Sequence, residues 1–585
     1  MKHQRRKRFT ALAMLLVGVT AISYLGSFRG EFIFDDYDSI VANQDLHSLR
    51  FSAIRSTYGV TRQVVAYSVA MNYWWGGLDP FGYHVVNLLI HVAASLVVFD
   101  LTGRLIARST WACRSGLRGE RLSHAIGWIS FGAAVIFALH PLQTSAVTYI
   151  IQRMESLAAL FYLLTLLAAV RGFRSPRSRS WNIASLVCFC LAIFSKEHAI
   201  TAPAVLLILD RSFLSRRWSG IFAGRWRLYV AYCIPLAFML TLLSPKLHLP
   251  KLLGLDRVEV DLSEDLQKAQ AIAENDAEKA IPIVEEVRQK AERVPDATVN
   301  AVRGISPSEF MSNQPRVLLH YLWLYVVPSQ QCFDYQWQPR SLGTSLVVSA
   351  LVILPVFVGC IVAVLLPGRL SPKAQVAAIG LAFFAIHSPR CTFQVLDLAV
   401  EYRMYLPIAT LAPLTALLVF QSSLCVRKTM TPERTYLIVL SLAAILMARQ
   451  TIQRNELFQS RLEMWSDCVA KSPLNARARR TLAGALAKEG RHTEALAEIQ
   501  AAVELLQESY LQQIEPGLVY RSLGSRHFDL GAFRDAEVAY LQAFKLNPGL
   551  PSVYWGLADI ERENGDPKKA QVLTEYGNTL SRYGT

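Results

Sequence analysis

The sequence predicts an all-α protein, in which a polytopic bundle of membrane helices is followed by a solenoid of helix-pair repeats. Three observations predict this fold. Of the 585 residues, 52% are hydrophobic and only 18% are charged, a balance more apolar than that of soluble proteins. Long apolar runs recur along the first three quarters of the chain. The tail is soluble in character and repeats itself with a period of about 34 residues.

The apolar runs predict about eleven transmembrane helices, because a bilayer is crossed by about twenty apolar residues in helical form. They divide the chain into a membrane domain, 1–449, and a repeat domain, 450–585. The runs fall at 9–28, 84–103, 125–140, 156–173, 182–195, 199–212, 228–244, 342–366, 374–388, 404–421 and 434–448.

The distribution of charge predicts how the chain is oriented. The net charge is +15, but Lys and Arg cluster at the start and in short loops such as 104–121 and 171–179. Basic loops stay on the cytoplasmic side. We therefore expect a cytoplasmic N-terminus, a retained first helix and, after an odd number of crossings, a repeat tail on the opposite side. This pattern argues against nucleic acid as a partner.

Two segments of the membrane domain do not look like crossings. They lie in a non-cytoplasmic insert, 247–341, whose first part, 247–316, is charged and whose stretch 262–293 has helical periodicity. The apolar segment 317–327 that follows is only about eleven residues long, which predicts an interfacial or re-entrant position. The nine cysteines show neither a disulfide framework nor the spacing of a metal site.

The tail matches the tetratricopeptide pattern of small and aromatic positions. One copy carries Gly524, Gly531, Ala536, Tyr540 and Ala543. The pattern predicts three stacked helix pairs at about 476–509, 517–550 and 551–584, after an incomplete leading repeat. Stacked repeats of this kind form a concave surface that usually binds peptide.

The acidic pair Asp35 and Asp36 is the first candidate for chemistry. It follows the first apolar run, in the sequence Phe34-Asp-Asp-Tyr. Opposite the basic N-terminus, two adjacent carboxylates are costly unless they bind a cation, share a proton or abstract one. A solvated loop is the alternative.

Further polar side chains lie at or near the same predicted membrane face. A set of cations and acids there suits a phosphate leaving group and a base, because Arg and Lys bind phosphate and a carboxylate can accept a hydroxyl proton. Interfacial snorkelling and ion pairing between helices are the alternative. The candidates for phosphate binding are Arg403, Lys196 and Arg153, and the supporting polar residues are His84, Asn87, His91, His140, Glu197 and Glu401.

These motifs, in this order, resemble the transmembrane-and-tetratricopeptide protein O-mannosyltransferases and their bacterial relatives, which have the GT-C fold. The matching segments are Phe34-Asp-Asp, Tyr83-His-Val-Val-Asn-Leu-Leu-Ile-His91, His140-Pro-Leu-Gln-Thr-Ser-Ala-Val-Thr-Tyr149, Ser195-Lys-Glu-His198, Glu401-Tyr-Arg-Met-Tyr-Leu-Pro407 and the C-terminal repeats. The tail holds about three repeats, against long arrays in the animal members.

The resemblance implies an acidic motif in the first outer loop, which maps to Asp35 and Asp36, and a polyprenyl-phosphate-linked sugar that enters from the membrane lipid. The expected acceptor is a Ser or Thr hydroxyl of an exported protein held by the repeats, at a bacterial-type inner membrane. Transfer to a lipid or glycan, and a non-enzymatic scaffold for envelope assembly, are the alternatives. The sequence leaves the sugar, the stereochemistry, the base within the pair and a divalent cation as cofactor undecided.

Overall fold

A computed structural model describes most of the chain, and all statements below concern the described residues. These are 2–47, 61–215, 217–243, 307–340, 343–365, 371–392, 397–425, 431–507 and 516–583. The charged insert predicted at 247–316 lies outside them, apart from its last ten residues. The described chain contains helices and no strands, so the predicted all-α fold is confirmed.

The membrane part is built from helices α1 to α15. Their bounds are α1 Lys2–Tyr24, α2 Gln63–Gly76, α3 Pro80–Ile106, α4 Thr110–Arg114, α5 Gly119–Leu139, α6 Thr144–Val147, α7 Arg153–Gly172, α8 Ser178–Ile193, α9 Ala202–Leu209, α10 Trp218–Leu243, α11 Pro307–Val326, α12 Thr344–Leu365, α13 Pro372–Thr392, α14 Tyr405–Cys425 and α15 Pro432–Leu457. Short 3-10 helices connect them at Leu25–Arg29, Gln44–His47, Pro141–Gln143, Ile150–Gln152, Glu197–Thr201 and Glu401–Met404, and π-helical turns lie at Tyr37–Val41 and Asp210–Leu214.

Seven helical stretches of the described chain are long and apolar enough to cross a membrane. They are Lys7–Arg29, Pro80–Ile106, Gly119–Leu139, Ile150–Gly172, Leu346–Leu365, Glu401–Cys425 and Pro432–Leu457. The other four predicted runs overlap α8, α9, α10 and α13. The protein is therefore an integral membrane protein with several spans.

Helix α5 is the centre of the bundle. It packs against α3, α14 and α15, and α7 packs against α3 and α8. The second half of α5 is buried from Ile129 to Leu139, which leaves no polar face toward solvent. The bundle core is therefore built from small and branched apolar side chains, which allow close helix packing.

Two helices of the described chain extend beyond the apolar runs predicted from the sequence. The segment 317–327 is part of the longer helix α11, which has 20 residues. Its first half lies in the part of the insert predicted to be charged, and Phe310, Asn313 and Gln314 are buried there. The domain boundary predicted at 449/450 falls inside α15, which continues to Leu457.

The tail forms pairs of antiparallel helices. The bounds are α16 Arg461–Lys471, α17 Ala476–Lys488, α18 His492–Gln507, α19 Pro516–Asp529, α20 Phe533–Leu546, α21 Pro551–Glu563 and α22 Pro567–Tyr583. Side-chain caps start α16 and α17: Ser460 accepts a hydrogen bond from the Glu463 amide and Asn475 from the Ala478 amide. A Cβ on Gly524 would stand 2.7 Å from the Tyr540 ring, so the close approach of α19 and α20 requires glycine.

The first repeat is fixed to the membrane part by an arginine fork. Arg477 of α17 donates to both carboxylate oxygens of Asp334, at 2.7 and 2.6 Å. It also reaches Asp397, with 2.7 Å between nitrogen and oxygen. Paired hydrogen bonds of this geometry hold both partners in one orientation. The first repeat is therefore held against the loops that carry Asp334 and Asp397.

Candidate functional site

A tight turn at residues 33–36 sends the two aspartates in opposite directions. The Asp36 amide donates to the Ile33 carbonyl at 2.9 Å, and the Ile33 amide donates to the Asp36 carboxylate at 3.0 Å. Phe34 adopts φ +44°, in the left-handed region that a non-glycine residue seldom occupies. Its ring packs against Trp465 at 5.5 Å between centroids, which helps to hold the turn. Such strain persists only where the surroundings fix it.

Asp36 faces inward and anchors the turn. Its side chain is fully buried, and its other carboxylate oxygen accepts a hydrogen bond of 2.8 Å from the Ile151 amide. Burial raises the pKa of Asp36 to about 8, while the two backbone hydrogen bonds act in the opposite direction. The carboxyl group thus ties the turn to the start of α7 and is not open to a substrate.

Asp35 faces outward, into a cavity of about 350 Å³ between the turn and the repeats. Its amide donates to the Tyr149 hydroxyl at 3.0 Å. Desolvation raises the pKa of Asp35, and the Tyr149 hydroxyl and the positive charge of Arg477 partly offset this effect. An accessible carboxylate with a raised pKa is suited to accepting a proton.

A cluster of cations and acids lies at the ends of α7, α8 and α13. Glu155 is buried and accepts from Lys196 at 2.8 Å and from Arg390 at 2.6 Å. Beside it, Arg62 forms a two-pronged ion pair with Glu197, at 3.0 and 3.2 Å. Three cations face two carboxylates here, so the cluster carries excess positive charge.

The cations of this cluster remain partly accessible. The side chains of Arg62, Lys196 and Arg390 are 36%, 13% and 11% exposed, whereas Glu155 is 2% exposed. Burial lowers the pKa of Lys196 to about 8, against the opposing effect of Glu155. An incoming anion would relieve this cost, because it would add negative charge on the accessible side.

Tyr402 and Asp397 lie between the cluster and Asp35. The Lys196 ammonium stands 5.1 Å above the Tyr402 ring. Asp397 is held by Arg477, and its charge acts on Asp35 and on Tyr402. Tyr402 therefore links the two regions: Lys196, from the loop after α8, lies over its ring, and the charge of Asp35, from the first loop, acts on it.

Arg403 and Glu401 support this site from within. The Arg403 guanidinium donates to the carbonyl oxygens of Leu398 and Asp397, at 2.9 and 2.8 Å. Glu401 accepts from Tyr335 at 2.8 Å and from Arg454 at 3.2 Å. The two side chains thus contact different groups. Both residues shape the loops that carry Asp397 and Tyr402.

The remaining predicted site residues form a buried polar network in the bundle. Arg153 is fully buried and donates to Asn87 at 2.6 Å and to the carbonyls of Ser68 and Tyr83 at 2.9 and 3.0 Å. Asn87 in turn donates to the carbonyls of Val147 and Ile150. The network joins α3 to the loop before α7.

The histidines belong to the same kind of network. His91 contacts the Tyr405 hydroxyl at 2.8 Å and the Ala138 carbonyl at 3.0 Å. His84 contacts the Gly30 carbonyl at 3.3 Å and His140 the Tyr325 carbonyl at 3.0 Å. All three are buried, and their partners are backbone or tyrosine groups of neighbouring elements. These side chains connect helices and loops.

Sequence reasoning missed three members of the cationic cluster. Arg62 carried no signal, because it stands outside any motif. Glu155 lies in the first turn of α7. Arg390 lies in the last turn of α13, just after the predicted apolar run 374–388. Charged residues at a helix end on the same membrane face as Lys196 were the available signal for both. Among the described residues, no group of three or more His, Cys, Asp or Glu side chains is arranged to hold a metal.

Comparison with known proteins agrees with this architecture. The tetratricopeptide repeat family matches residues 457–509 and 521–576. The chain is 31% identical over 219 residues to human protein O-mannosyl-transferase TMTC4, which covers 34% of this chain and 29% of that protein. It is 24% identical over 532 residues to human protein O-mannosyl-transferase TMTC1, covering 84% of this chain and 55% of that protein. The chain thus spans 29% and 55% of the length of these two relatives. The resemblance predicted from the motifs is confirmed.

Among solved structures, ArnT from Cupriavidus metallidurans bound to undecaprenyl phosphate shares 13% identity and gives a TM-score of 0.35, over 93% of this chain and 80% of that one. At this TM-score the two chains do not superpose closely enough for residues to be equated.

Proposed function

We propose that this protein is a membrane glycosyltransferase that moves a sugar from a polyprenyl-phosphate-linked donor to a hydroxyl group. The preferred acceptor is a Ser or Thr side chain of an exported protein. The observation that carries the proposal is the placement of Asp35: an exposed carboxylate in a cavity under the repeat helices α16, α17 and α19, within electrostatic reach of Tyr402, over which Lys196 of the cationic cluster lies. A scaffold would need no such carboxylate.

Asp35 is the proposed general base. It accepts the proton of the acceptor hydroxyl as that oxygen bonds to the anomeric carbon, and the bond from that carbon to the phosphate oxygen breaks. Asp36 is a positioning residue, because its two hydrogen bonds with the backbone hold the turn that presents Asp35.

The lipid phosphate is the proposed ligand of Lys196, Arg390 and Arg62. They lie at the ends of apolar helices, where a lipid headgroup is presented, and their excess positive charge stabilises the departing phosphate. Arg403 and Arg153, also considered for this role, have their guanidinium groups engaged with backbone carbonyls. We therefore assign them to positioning and to the bundle core.

The proposed topology is that derived from the basic loops. The N-terminus is cytoplasmic, and Asp35, the cationic cluster and the repeats share the opposite, periplasmic side of a bacterial-type inner membrane. The contacts between Arg477, Asp334 and Asp397 support this arrangement, because they require the repeats and these loops to lie on one side. A cytoplasm-restricted reporter fused after Thr585 should stay silent.

The test is transfer by the full-length chain in detergent. Purified protein is given a polyprenyl-phosphate-linked mannose, the donor class suggested by the relatives' names, and a mixture of Ser- and Thr-containing peptides, and products are measured by mass. In parallel, the intact masses of exported proteins are compared in cells with and without the chain. Sugar-sized mass differences that vanish in Asp35→Asn are expected. Identical masses in both cells, together with full complementation by the Asp35→Asn, Asp36→Asn double variant, would favour the scaffold.

A further inference from the structure

The cavity beside Asp35 is unusual in its charge. Its floor is the turn, with Asp35, and its roof is formed by α16, α17 and α19 of the repeats. Four arginines of the repeat domain line it: Arg461, Arg480, Arg521 and Arg526. The carboxylates of Asp35 and Asp38 also line the cavity, so four arginines face two acids, and the excess of positive charge favours a further anion.

The arginines differ in how well they are satisfied. Arg461 donates to the Tyr37 hydroxyl at 3.0 Å, and Arg526 pairs with Asp529 at 3.2 Å. The Nε of Arg521 is buried without a hydrogen-bond partner in the described part of the chain. Burial and the nearby charge of Arg526 lower the pKa of Arg521. Desolvation of this guanidinium costs free energy, and a hydrogen bond from a bound carboxylate would offset that cost.

The side from which the arginines come identifies the anion. They belong to the repeats and stand on soluble helices, whereas the proposed phosphate ligands stand at the ends of apolar helices. An anion at the arginines therefore arrives with the acceptor and not with the lipid. Gly484 also lines the cavity, and it has open space where a side chain would stand. That space can admit the main chain of a peptide next to Asp35.

We propose that the cavity binds an acidic side chain of the acceptor, next in sequence to the hydroxyl that receives the sugar, through Arg521 and its neighbours. The proposal rests on the function proposed above and adds a rule of acceptor choice. Hydroxyl residues flanked by Asp or Glu are modified in preference to those flanked by Asn or Gln.

The experiment compares matched peptides with the full-length protein. Each pair differs only by Asp or Asn beside one Ser, and kcat/KM is measured for transfer. We expect the acidic peptide to be favoured by about tenfold, since one charge-assisted pair is at stake. The Arg521→Gln variant should abolish that preference, so that both peptides of a pair are transferred with the same kcat/KM. Arg491→Gln, which alters an exposed arginine of the tail outside the cavity, should retain it.

A variant that fills space without changing charge tests whether the acceptor peptide binds in this cavity. Gly484→Leu introduces a side chain into the open space within a helix, where leucine is well tolerated. It should reduce transfer to both peptides equally and leave the melting temperature unchanged. Wild-type protein that transfers to both peptides at equal rates, or Arg521→Gln that keeps the preference, would overturn the acidic subsite.

Direct measurement of peptide binding distinguishes failure of the proposed transferase activity from failure of the acidic subsite. Fluorescence anisotropy of the same labelled peptides on the full chain reports the subsite even where no sugar is transferred. Preferential binding of the acidic peptide without transfer would uphold the subsite and reject the enzyme. Equal binding of both peptides, or displacement of the acidic one by polyprenyl phosphate, would reject the subsite and assign the arginines to the lipid phosphate.

A second observation stands apart from this cavity. Cys332, in the loop after α11, and Cys468, in α16, are buried with their sulfur atoms 3.4 Å apart. Both thiols also point to the carbonyl of Asp334, at 3.2 and 3.1 Å. The two residues belong to the two parts of the protein that Arg477 holds together.

We infer that Cys332 and Cys468 form a disulfide that fastens the repeats to the membrane part. On the proposed periplasmic side, a thiol–disulfide oxidoreductase would accept the two electrons and two protons of the two thiols, and its own disulfide would become a dithiol. The bond would close as the chain folds, before the pair is buried.

Peptide mapping without reductant tests this on protein purified from its native membrane. After denaturation in iodoacetamide, a linked pair of peptides carrying Cys332 and Cys468 is expected, while Cys188 and Cys190, in the apolar helix α8, should be alkylated. Reduction of the wild type should lower the melting temperature of the repeats, and the Cys332→Ser, Cys468→Ser variant should not respond to reductant. Full alkylation of both cysteines would refute the bond.

Discussion

The buried polar network of the bundle and the cationic cluster contain the same residue types but differ in what these residues do. Arg153 lies in the core with its nitrogens bound to Asn87 and to backbone carbonyls. Lys196 and Arg390 share one buried acid and still reach the surface. A polar group in an apolar bundle must be satisfied by the protein, or it destabilises the fold. Charge that stays accessible and in excess is available to a ligand.

The largest effect is expected when a member of the buried network is removed. Arg153→Ala leaves Asn87 and two carbonyls without their donor, so we expect a loss of about 3–5 kcal/mol of stability and a lower melting temperature in detergent. The protein that remains folded should keep its donor KM. A normal melting temperature with a raised donor KM would place Arg153 at the phosphate instead.

The two adjacent aspartates should differ in the same way, one affecting activity and the other stability. Asp35→Asn removes the proposed base and should lower kcat by about 100-fold without a change in melting temperature. Asp36→Asn disturbs the acceptors of the Ile33 and Ile151 amides and should lower stability by about 1–3 kcal/mol. If both variants keep transfer within about threefold of wild type, the base lies elsewhere.

The cationic cluster should respond in substrate binding. Lys196→Ala and Arg390→Ala each remove one accessible cation and should raise the donor KM by about tenfold, since a charge-assisted hydrogen bond is lost. Arg403→Lys serves as the matched control: its guanidinium donates to two backbone carbonyls, so a change in loop stability is expected without a specific effect on donor KM. An effect on KM confined to Arg403 would reverse the assignment.

The pH dependence of transfer should report the ionisation of Asp35 and that of Lys196. Activity should fall as the pH drops through the pKa of Asp35, which lies above that of an ordinary aspartate because burial disfavours its charge. Donor binding should weaken as the pH rises past about 8, where Lys196 loses its proton. Transfer rates and donor KM from pH 4 to 10 check this, and the alkaline change in KM should be absent from Lys196→Ala. A flat donor KM above pH 8 in wild type would contradict a charged Lys196 at the phosphate.

Much of the architecture could be predicted from sequence because it depends on local patterns. Apolar runs of helical length, basic loops and a repeat of small and aromatic positions each act within a few turns of chain. The helix pairs of the tail and the apolar helices were predictable for this reason. The length of α11 was not, because its polar first half is buried only by its neighbours.

The site residues could be selected by type but not sorted by role. Asp35 and Asp36 are identical in sequence terms, and a left-handed turn at Phe34 decides that one is exposed and the other buried. Arg62 and Arg390 join Lys196 through contacts across more than a hundred residues of sequence. No local pattern encodes such separations.

The sequence by itself determined a multi-pass helical membrane protein with a tetratricopeptide tail, because hydropathy, charge and repeat period are properties of short segments. The tertiary structure alone decided which charges are enclosed and which remain accessible. It placed Arg153 inside the bundle, brought Cys332 to Cys468 and set four arginines of the repeats over Asp35. The physical reason is that the cost of burying a charge, and hence its role, depends on neighbours that are distant along the chain.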